Sequence, residues 1–351
     1  MRPELNDILA VLRIEGKDEL EALYQRAYKI KTEMVGKVVY FRGIVELSNI
    51  CSKDCFYCGI RKSNDNVNRY MMKKEEVVES ALWAHAQGYG SIVIQSGERE
   101  DEHFVNYITE LLTEISSSTN AELGITLSLG EQTEEVYGAW YEAGAHRYLL
   151  RIETSDPDLY PRLHPKDHSW HRRLDCIRTL KKLGYQTGTG VMIGLPGQTD
   201  EHLARDIQFF YDEDIDMIGM GPFIPHQDTP FACYQQGFDG EEALERALKM
   251  IAACRIFLPD INIASTTALQ ALNPTGREMG LLAGANIIMP NITDTKYREN
   301  YQLYDGKPCL DENASLCRGC LERRITSIGE TIGYKQWGDS RHYITNKSKG
   351  R

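Results

Sequence analysis

The sequence predicts an α/β protein: a (βα)8 TIM barrel with an N-terminal helical extension and a C-terminal cysteine-containing segment. Three observations predict it. Short apolar runs alternate with amphipathic stretches along most of the 351 residues, the pattern of a parallel sheet with crossover helices. Eight runs can be assigned, and a barrel of about 250 residues leaves room for extensions. Polar and sulfur-bearing residues gather just after the runs, where a barrel keeps its active site.

Residues 1–36 read as helix. Leu5, Ile8, Leu9 and Leu12 recur at helical spacing, as do Leu20, Leu23, Ala27 and Ile30, a pattern suited to packing on the barrel. The expected strands are Val38–Val45, Ser91–Gln95, Gly124–Leu127, Arg147–Arg151, Gln186–Val191, Met217–Gly219, Ile261–Ala264 and Asn286–Ile288. The amphipathic stretches between them include Lys74–Gln87, Phe104–Ser116, Glu134–Ala143, His171–Leu183, Glu201–Asp212 and Glu241–Phe257. This divides the chain into an extension (1–36), a barrel (37–295) and a C-terminal segment packed on it (296–351).

Hydrophobic content of 42% and charged content of 26% describe an ordinary globular protein. A net charge of −11 argues against a general nucleic-acid binder, which carries a basic balance or stripe. The N-terminus has no apolar signal-peptide core and no run approaches 18 apolar residues, so neither secretion nor a membrane span is expected. Six of the nine cysteines fall into two tight clusters, which reads as metal binding in a reducing cytoplasm.

The first cluster is Cys51, Cys55 and Cys58, directly after the first strand. Three thiolates on a tight loop suit an iron–sulfur cubane with one iron left open for chemistry. A structural zinc site is the alternative, but it needs a fourth ligand, and no Cys or His lies within ten residues on either side. Cys309, Cys317 and Cys320 form the second cluster, again iron–sulfur (two-iron or four-iron) or zinc. Its local spacing and C-terminal place put it on the surface. Cys176, Cys233 and Cys254 read as plain thiols.

The strand ends supply candidate ligands. Gln95-Ser96-Gly97-Glu98 follows the second strand, and Gly97 permits close backbone approach. Thr126 and Ser128 alternate with leucines and share one face, as Arg151 and Glu153 do at the fourth strand. A guanidinium there suits a carboxylate, and a carboxylate suits a ribose diol. Arg173 is a further partner for a carboxylate. Gly194-Leu195-Pro196-Gly197 opens a helix, where free N–H groups favour polar ligands. Ile224 offers an adenine face, while His226 reads as structural. Thr266, Thr267 and Met289 close the mouth. Such a hydroxyl-rich mouth with few acid–base groups suits steering a radical more than proton transfer.

Cys-x3-Cys-x2-Cys with an aromatic, Tyr57, before its last cysteine resembles the signature of radical S-adenosylmethionine enzymes, in which a [4Fe–4S] cluster binds and reductively cleaves S-adenosylmethionine. Together with Gln95-Ser96-Gly97-Glu98, Thr126–Glu131, Tyr148–Arg151, Gly194–Thr199, Gly221–His226, Thr266-Thr267, Ile288–Asn291 and Tyr301–Tyr304, nearly the whole chain resembles the HydE maturases of [FeFe]-hydrogenase. The resemblance implies that Gln95, Thr126, Ser128, Arg151, Thr266, Thr267 and Met289 line the cavity. It places Glu153 and Arg173 on S-adenosylmethionine, with Tyr57, Ser96, Gly97, Glu98 and Ile224 also on the cofactor. Tyr301 and Tyr304 stand beside the reacting space. It further implies an iron–cysteine substrate bearing carbon monoxide and cyanide, HydG and HydF as partner maturases, a flavodoxin or ferredoxin as reductant, and an accessory cluster on Cys309, Cys317 and Cys320. One departure is Ile152, where a family member has His; alternation turns it away from Arg151 and Glu153. Biotin-synthase-like and methylornithine-synthase-like enzymes are the neighbouring readings. An iron–sulfur scaffold or electron carrier is the non-enzyme one.

Overall fold

The computed structural model describes residues 2–349. Helices α1 (Leu5–Leu12) and α2 (Lys17–Met34) open the chain. Strand β1 (Val38–Ser48) follows, then α3 (Lys74–Ala86), β2 (Ser91–Ser96), α4 (Glu102–Ser118), β3 (Gly124–Ser128), α5 (Glu134–Glu142) and β4 (Ala145–Leu149). Next come α6 (Tyr160–Leu163), α7 (Trp170–Lys182), β5 (Gln186–Thr189), β6 (Met192–Ile193), α8 (Asp200–Asp212), β7 (Met217–Ile218), β8 (Gly221–Pro222) and α9 (Gly240–Phe257). The last elements are β9 (Asn262–Ile263), α10 (Thr267–Leu272), α11 (Gly276–Leu282), β10 (Ile287–Ile288), α12 (Thr295–Arg298), α13 (Ala314–Ser327), β11 (Thr331–Ile332) and α14 (Arg341–Ser348).

The barrel strands run in the order β10-β1-β2-β3-β4-β5-β7-β9, all parallel. The seam between β9 and β10 is a single bridge, Ala264 to Ile287, with Ser265 N donating to Ile287 O and Asn286 N to Ile263 O, both at 2.9 Å. β6 and β8 form a separate pair. Four of the helices that follow strands, α4, α5, α7 and α9, start on side-chain caps. Asp101, Thr133, Ser169 and Asp239 each accept a backbone N–H from the first turn, satisfying donors that a helix start leaves free. These caps fix four of the βα loops.

All eight expected barrel strands exist, with shifted limits. β1 runs three residues further, to Ser48. β4 stops at Leu149 and β5 at Thr189, so Arg151, Glu153 and Val191 lie beyond the ladder. α1 packs on α8 and α9, and α2 on α9 and α11.

The N-terminal end of the barrel is plugged by residues 337–339. Trp337 O accepts from Arg147 Nη1 at 2.7 Å. Gly338 O accepts from Arg42 and Asn262 at 3.1 and 2.8 Å. Asp339 Oδ1 accepts from Gln186 at 2.8 Å. β11 pairs with the start of β1 beside this plug. The opposite end is left for chemistry.

Behind the plug, His342 on α14 sits 2.6 Å from Asp214 and 3.3 Å from Asp260. The hydrogen bond to Asp260, reinforced by Asp214, raises the imidazole from 6.5 to about 9. A raised folded value means the contribution is fully present below pH 6.5 and fades as pH rises through 9. Amide exchange across α14, corrected for base catalysis, is expected to speed up over that window. His342→Gln should remove the pH dependence; equal protection at both ends of the window in the unaltered chain would contradict the assignment.

Candidate active site

Cys51, Cys55 and Cys58 sit on the loop that leaves β1, and all three line one cavity of about 320 Å³ at the C-terminal end of the strands. The loop is held from several sides. Ser52 N donates to Glu98 O at 2.8 Å and Phe56 N to Leu163 O at 2.9 Å. Arg69 donates to the carbonyls of Asn49 and Ile60 at 2.7 and 2.8 Å. Two positions require glycine. A β-carbon on Gly97 would collide with Ile50 O and stand 2.8 Å from Cys51 Cβ. One on Gly59 would collide with Gln302 O, where residues 301–307 cross the loop and Gly59 N donates to Leu303 O at 3.0 Å.

Cys51 Sγ accepts from Lys53 N and Glu98 N at 3.4 and 3.3 Å. Burial pushes all three thiols upward, Cys58 to about 12. The metal-free loop therefore holds neutral thiols, and metal binding must displace their protons.

A charged wall stands beside the loop. Arg173 lies 3.2 Å from Glu98 and 2.8 Å from Glu131, and Lys53 lies 3.1 Å from each carboxylate. Burial alone would raise Glu131, but Arg173 and Lys53 outweigh it and leave it below its ordinary value. Further round, Arg151 Nη2 is 3.0 Å from Glu153 Oε2 and donates to Val191 O at 3.0 Å. Glu153 adopts φ +66°, a left-handed conformation that costs a non-glycine residue about 1–3 kcal/mol. That twist turns its carboxylate to Arg151. Burial raises Glu153 although Arg151 and Arg173 oppose it.

Every residue expected at the cavity lines it except Thr126: Tyr57, Gln95, Ser96, Gly97, Glu98, Ser128, Arg151, Glu153, Arg173, Ile224, Thr266, Thr267, Met289, Tyr301 and Tyr304 are all present. Gln95 Nε2 donates to the Tyr301 hydroxyl at 3.2 Å, and Arg277 donates to Thr267 Oγ1 at 3.1 Å. Thr126 is a correction. It shares a face with Ser128 but lies one layer deeper, in a separate cavity of about 30 Å³ with Arg42 and Asn262, because alternation fixes a face and not a depth. Ile152 is fully buried away from the cavity, as alternation requires. His226 does not line it either; its Nδ1 accepts from Asp228 N at 3.1 Å.

Residues not anticipated include Glu46 and Lys307, a buried pair 2.5 Å apart on the cavity wall. Glu46 follows Ile44 at the period-two spacing of β1 and was hidden by ending that strand at Val45. Lys53, Tyr160 and His164 also line the cavity, and Glu131 stands behind Lys53.

The C-terminal cysteines lie outside the cavity. The surface placement is corrected: Cys317 is 1% exposed and packs in the main core, while Cys309 and Cys320 are half-buried. Core packing of α13 draws Cys317 inward. Arg298 fixes the loop by donating to the carbonyls of Cys309 and Glu312 at 3.0 and 2.5 Å. Cys176 and Cys254 are buried and Cys233 is exposed.

Residues 45–210 match the family model of the radical SAM superfamily. The chain is 46% identical to the [FeFe] hydrogenase maturase subunit HydE of Thermotoga maritima, over 93% of this chain and 91% of the relative. The chain belongs to the HydE family. It is also 27% identical to the 3-methylornithine synthase of Methanosarcina acetivorans over 86% of this chain and 83% of that one. The crystal structure of methylornithine synthase (PylB) superposes with a TM-score of 0.81 at 25% identity, covering 95% of both chains. Membership of HydE, within the radical SAM superfamily, makes the chain an enzyme that uses a [4Fe–4S] cluster and S-adenosylmethionine.

This HydE-family cavity fits both groups. Three thiols and no other cysteine among the described residues share it, which would leave one iron of a cubane without a thiolate ligand. Arg151 Nε and Thr266 Oγ1 are buried with no hydrogen-bond partner among the described residues, and both belong to residues lining the cavity, where a polar ligand would satisfy them. Among the described residues no helix is long and apolar enough to cross a membrane.

Proposed function

We propose that this chain matures [FeFe]-hydrogenase by acting on an iron–cysteine complex bearing carbon monoxide and cyanide, at its cysteine sulfur. The observation that carries the proposal is the convergence of Cys51, Cys55 and Cys58 with the Arg151–Glu153 and Arg173 charges on one cavity in a chain so similar to HydE. When bound, the cluster and S-adenosylmethionine supply a 5′-deoxyadenosyl radical by reductive cleavage. In this reading Cys51, Cys55 and Cys58 hold the cluster. Ser96, Gly97 and Glu98 receive the methionine ammonium, and Glu153 takes the ribose diol. Arg173 takes the carboxylate, and Tyr57 and Ile224 flank the adenine. Gln95, Ser128, Arg151, Thr266, Thr267 and Met289 orient the substrate, and Tyr301 and Tyr304 exclude water from it. HydG supplies the substrate, the product goes on toward HydF, and a flavodoxin or ferredoxin delivers the electron.

Anaerobic reconstitution followed by quantification of 5′-deoxyadenosine, with and without the synthetic iron–cysteine complex, tests this. Acceleration by the complex supports it. Cleavage indifferent to the complex overturns the substrate while leaving the radical chemistry. The fold shared with methylornithine synthase supports a second reading, which predicts 3-methylornithine as product.

Cys309, Cys317 and Cys320 are proposed to hold an accessory cluster. Because they stand outside the cavity, Cys317→Ala is expected to lower iron content yet leave cofactor cleavage unchanged. Lost cleavage with an intact first cluster would show that the site is more than accessory.

A further inference from the structure

Beside the cysteine loop stands a column of three rings at four-residue spacing, Tyr160, His164 and His168. Tyr160 and His164 stack with centroids 4.0 Å apart, and His164 and His168 with centroids 5.8 Å apart. Both imidazoles present Nε2 to the loop. His168 Nε2 accepts from Asp54 N at 3.2 Å, and His164 Nε2 stands 3.2 Å from the Tyr57 hydroxyl. The other ring nitrogen settles the direction of the second bond. His164 Nδ1 lies 3.0 Å from the carbonyl oxygen of Tyr160, which has no proton to give. Nδ1 therefore carries the proton and Nε2 accepts, so the Tyr57 O–H donates to His164. The same hydroxyl also stands close to the Cys55 thiol, two residues earlier in the loop, without a hydrogen bond formed to it. A phenol has one proton, so the two acceptors compete for it.

Hydrogen bonds to the sulfurs of an iron–sulfur cluster help set its potential. They stabilise the more negative reduced state and so shift the potential positive. We propose that His164 is a positioning residue that sets the reducing power of the cluster: by taking the Tyr57 proton it keeps that hydrogen bond off the Cys55 sulfur, and the potential stays low. The inference rests on the ligation of the cluster by Cys51, Cys55 and Cys58. His168 contributes by fixing the backbone of Asp54, the residue before Cys55.

The test is an EPR-monitored reductive titration, with dithionite and mediators, of the anaerobically reconstituted full chain without S-adenosylmethionine. Iron and sulfide are assayed on every sample. His164→Leu is expected to shift the midpoint positive, because the freed hydroxyl turns to Cys55. Adding Tyr57→Phe to it should return the potential to the starting value, while Tyr57→Phe alone leaves it unmoved. A fully loaded His164→Leu protein with an unchanged potential overturns the inference. So does a negative shift in Tyr57→Phe alone, which would show the hydroxyl already bonded to sulfur. Should His164→Leu load incompletely, Tyr57→Phe decides: no shift supports the proposal and a negative shift sinks it. An unaltered chain that binds no four-iron cluster removes the ligation reading and the inference with it, a result distinct from an unmoved potential.

Discussion

Cys55→Ala is expected to produce no 5′-deoxyadenosine above background. Cys55 is one of three thiols that line the cavity, and it is half-buried in the middle of the loop, close to Tyr57. Removing it leaves two protein ligands for a four-iron cluster, and an alanine methyl offers no replacement donor. The loop itself should persist, because its fixing bonds run through Ser52 N, Phe56 N and the Arg69 guanidinium rather than through Cys55. Iron analysis and cofactor cleavage, measured together, check this. Cys233→Ala, which alters an exposed thiol outside the cavity, is the control and should behave as the unaltered chain. Cleavage retained by Cys55→Ala would remove the cluster from this loop.

Arg173→Met is expected to lower both stability and cofactor affinity. The guanidinium sits between Glu98 and Glu131, whose side chains are 7% and 1% exposed. Truncating one partner of a buried charge network costs about 3–5 kcal/mol, since the carboxylates keep their desolvation penalty and lose their counter-charge. Lys53 stays within 3.1 Å of both and limits the damage. Melting several degrees lower, together with weaker S-adenosylmethionine binding by the reconstituted protein, is the expected pair of results. Arg173→Lys should recover part of the stability while losing the planar fork that suits a carboxylate. An unchanged melting temperature would show that Lys53, with Arg172 at 3.2 Å from Glu131, balances the wall without Arg173.

The parts of this site that could be read from the chain are those written locally. Cys51, Cys55 and Cys58 lie within one loop, and β2 and β3 are apolar runs with a hydroxyl or amide at the end. Strand-end placement then brought Gln95, Ser128, Thr266 and Met289 to one cavity. What stayed hidden depends on partners far apart in sequence. Glu46 meets Lys307 across the barrel, and Glu131 meets Lys53 from a different loop. Thr126 shows the limit of periodicity, which gave its face correctly and its level wrongly. Cys317 shows the limit of spacing, because three nearby cysteines do not reveal that their helix packs one of them into the core. β7, β9 and β10 span two residues each, too short for any alternation, and were legible only as short apolar runs between amphipathic stretches.

The residues after β10 close the molecule at two opposite ends: 301–307 cross the cysteine loop at Gly59, and 337–339 fill the base between Arg42 and Arg147. Both closures are made late in synthesis. A ribosome working at ~5–20 residues per second reaches Tyr301 on the order of ten seconds or more after Cys58. Throughout that interval the nascent cysteine loop has no strap above it and the sheet has no base beneath it. Only after that interval can the Gly59–Leu303 bond fasten the loop. The order in which this chain is made thus leaves an interval in which the cysteine loop exists without its strap.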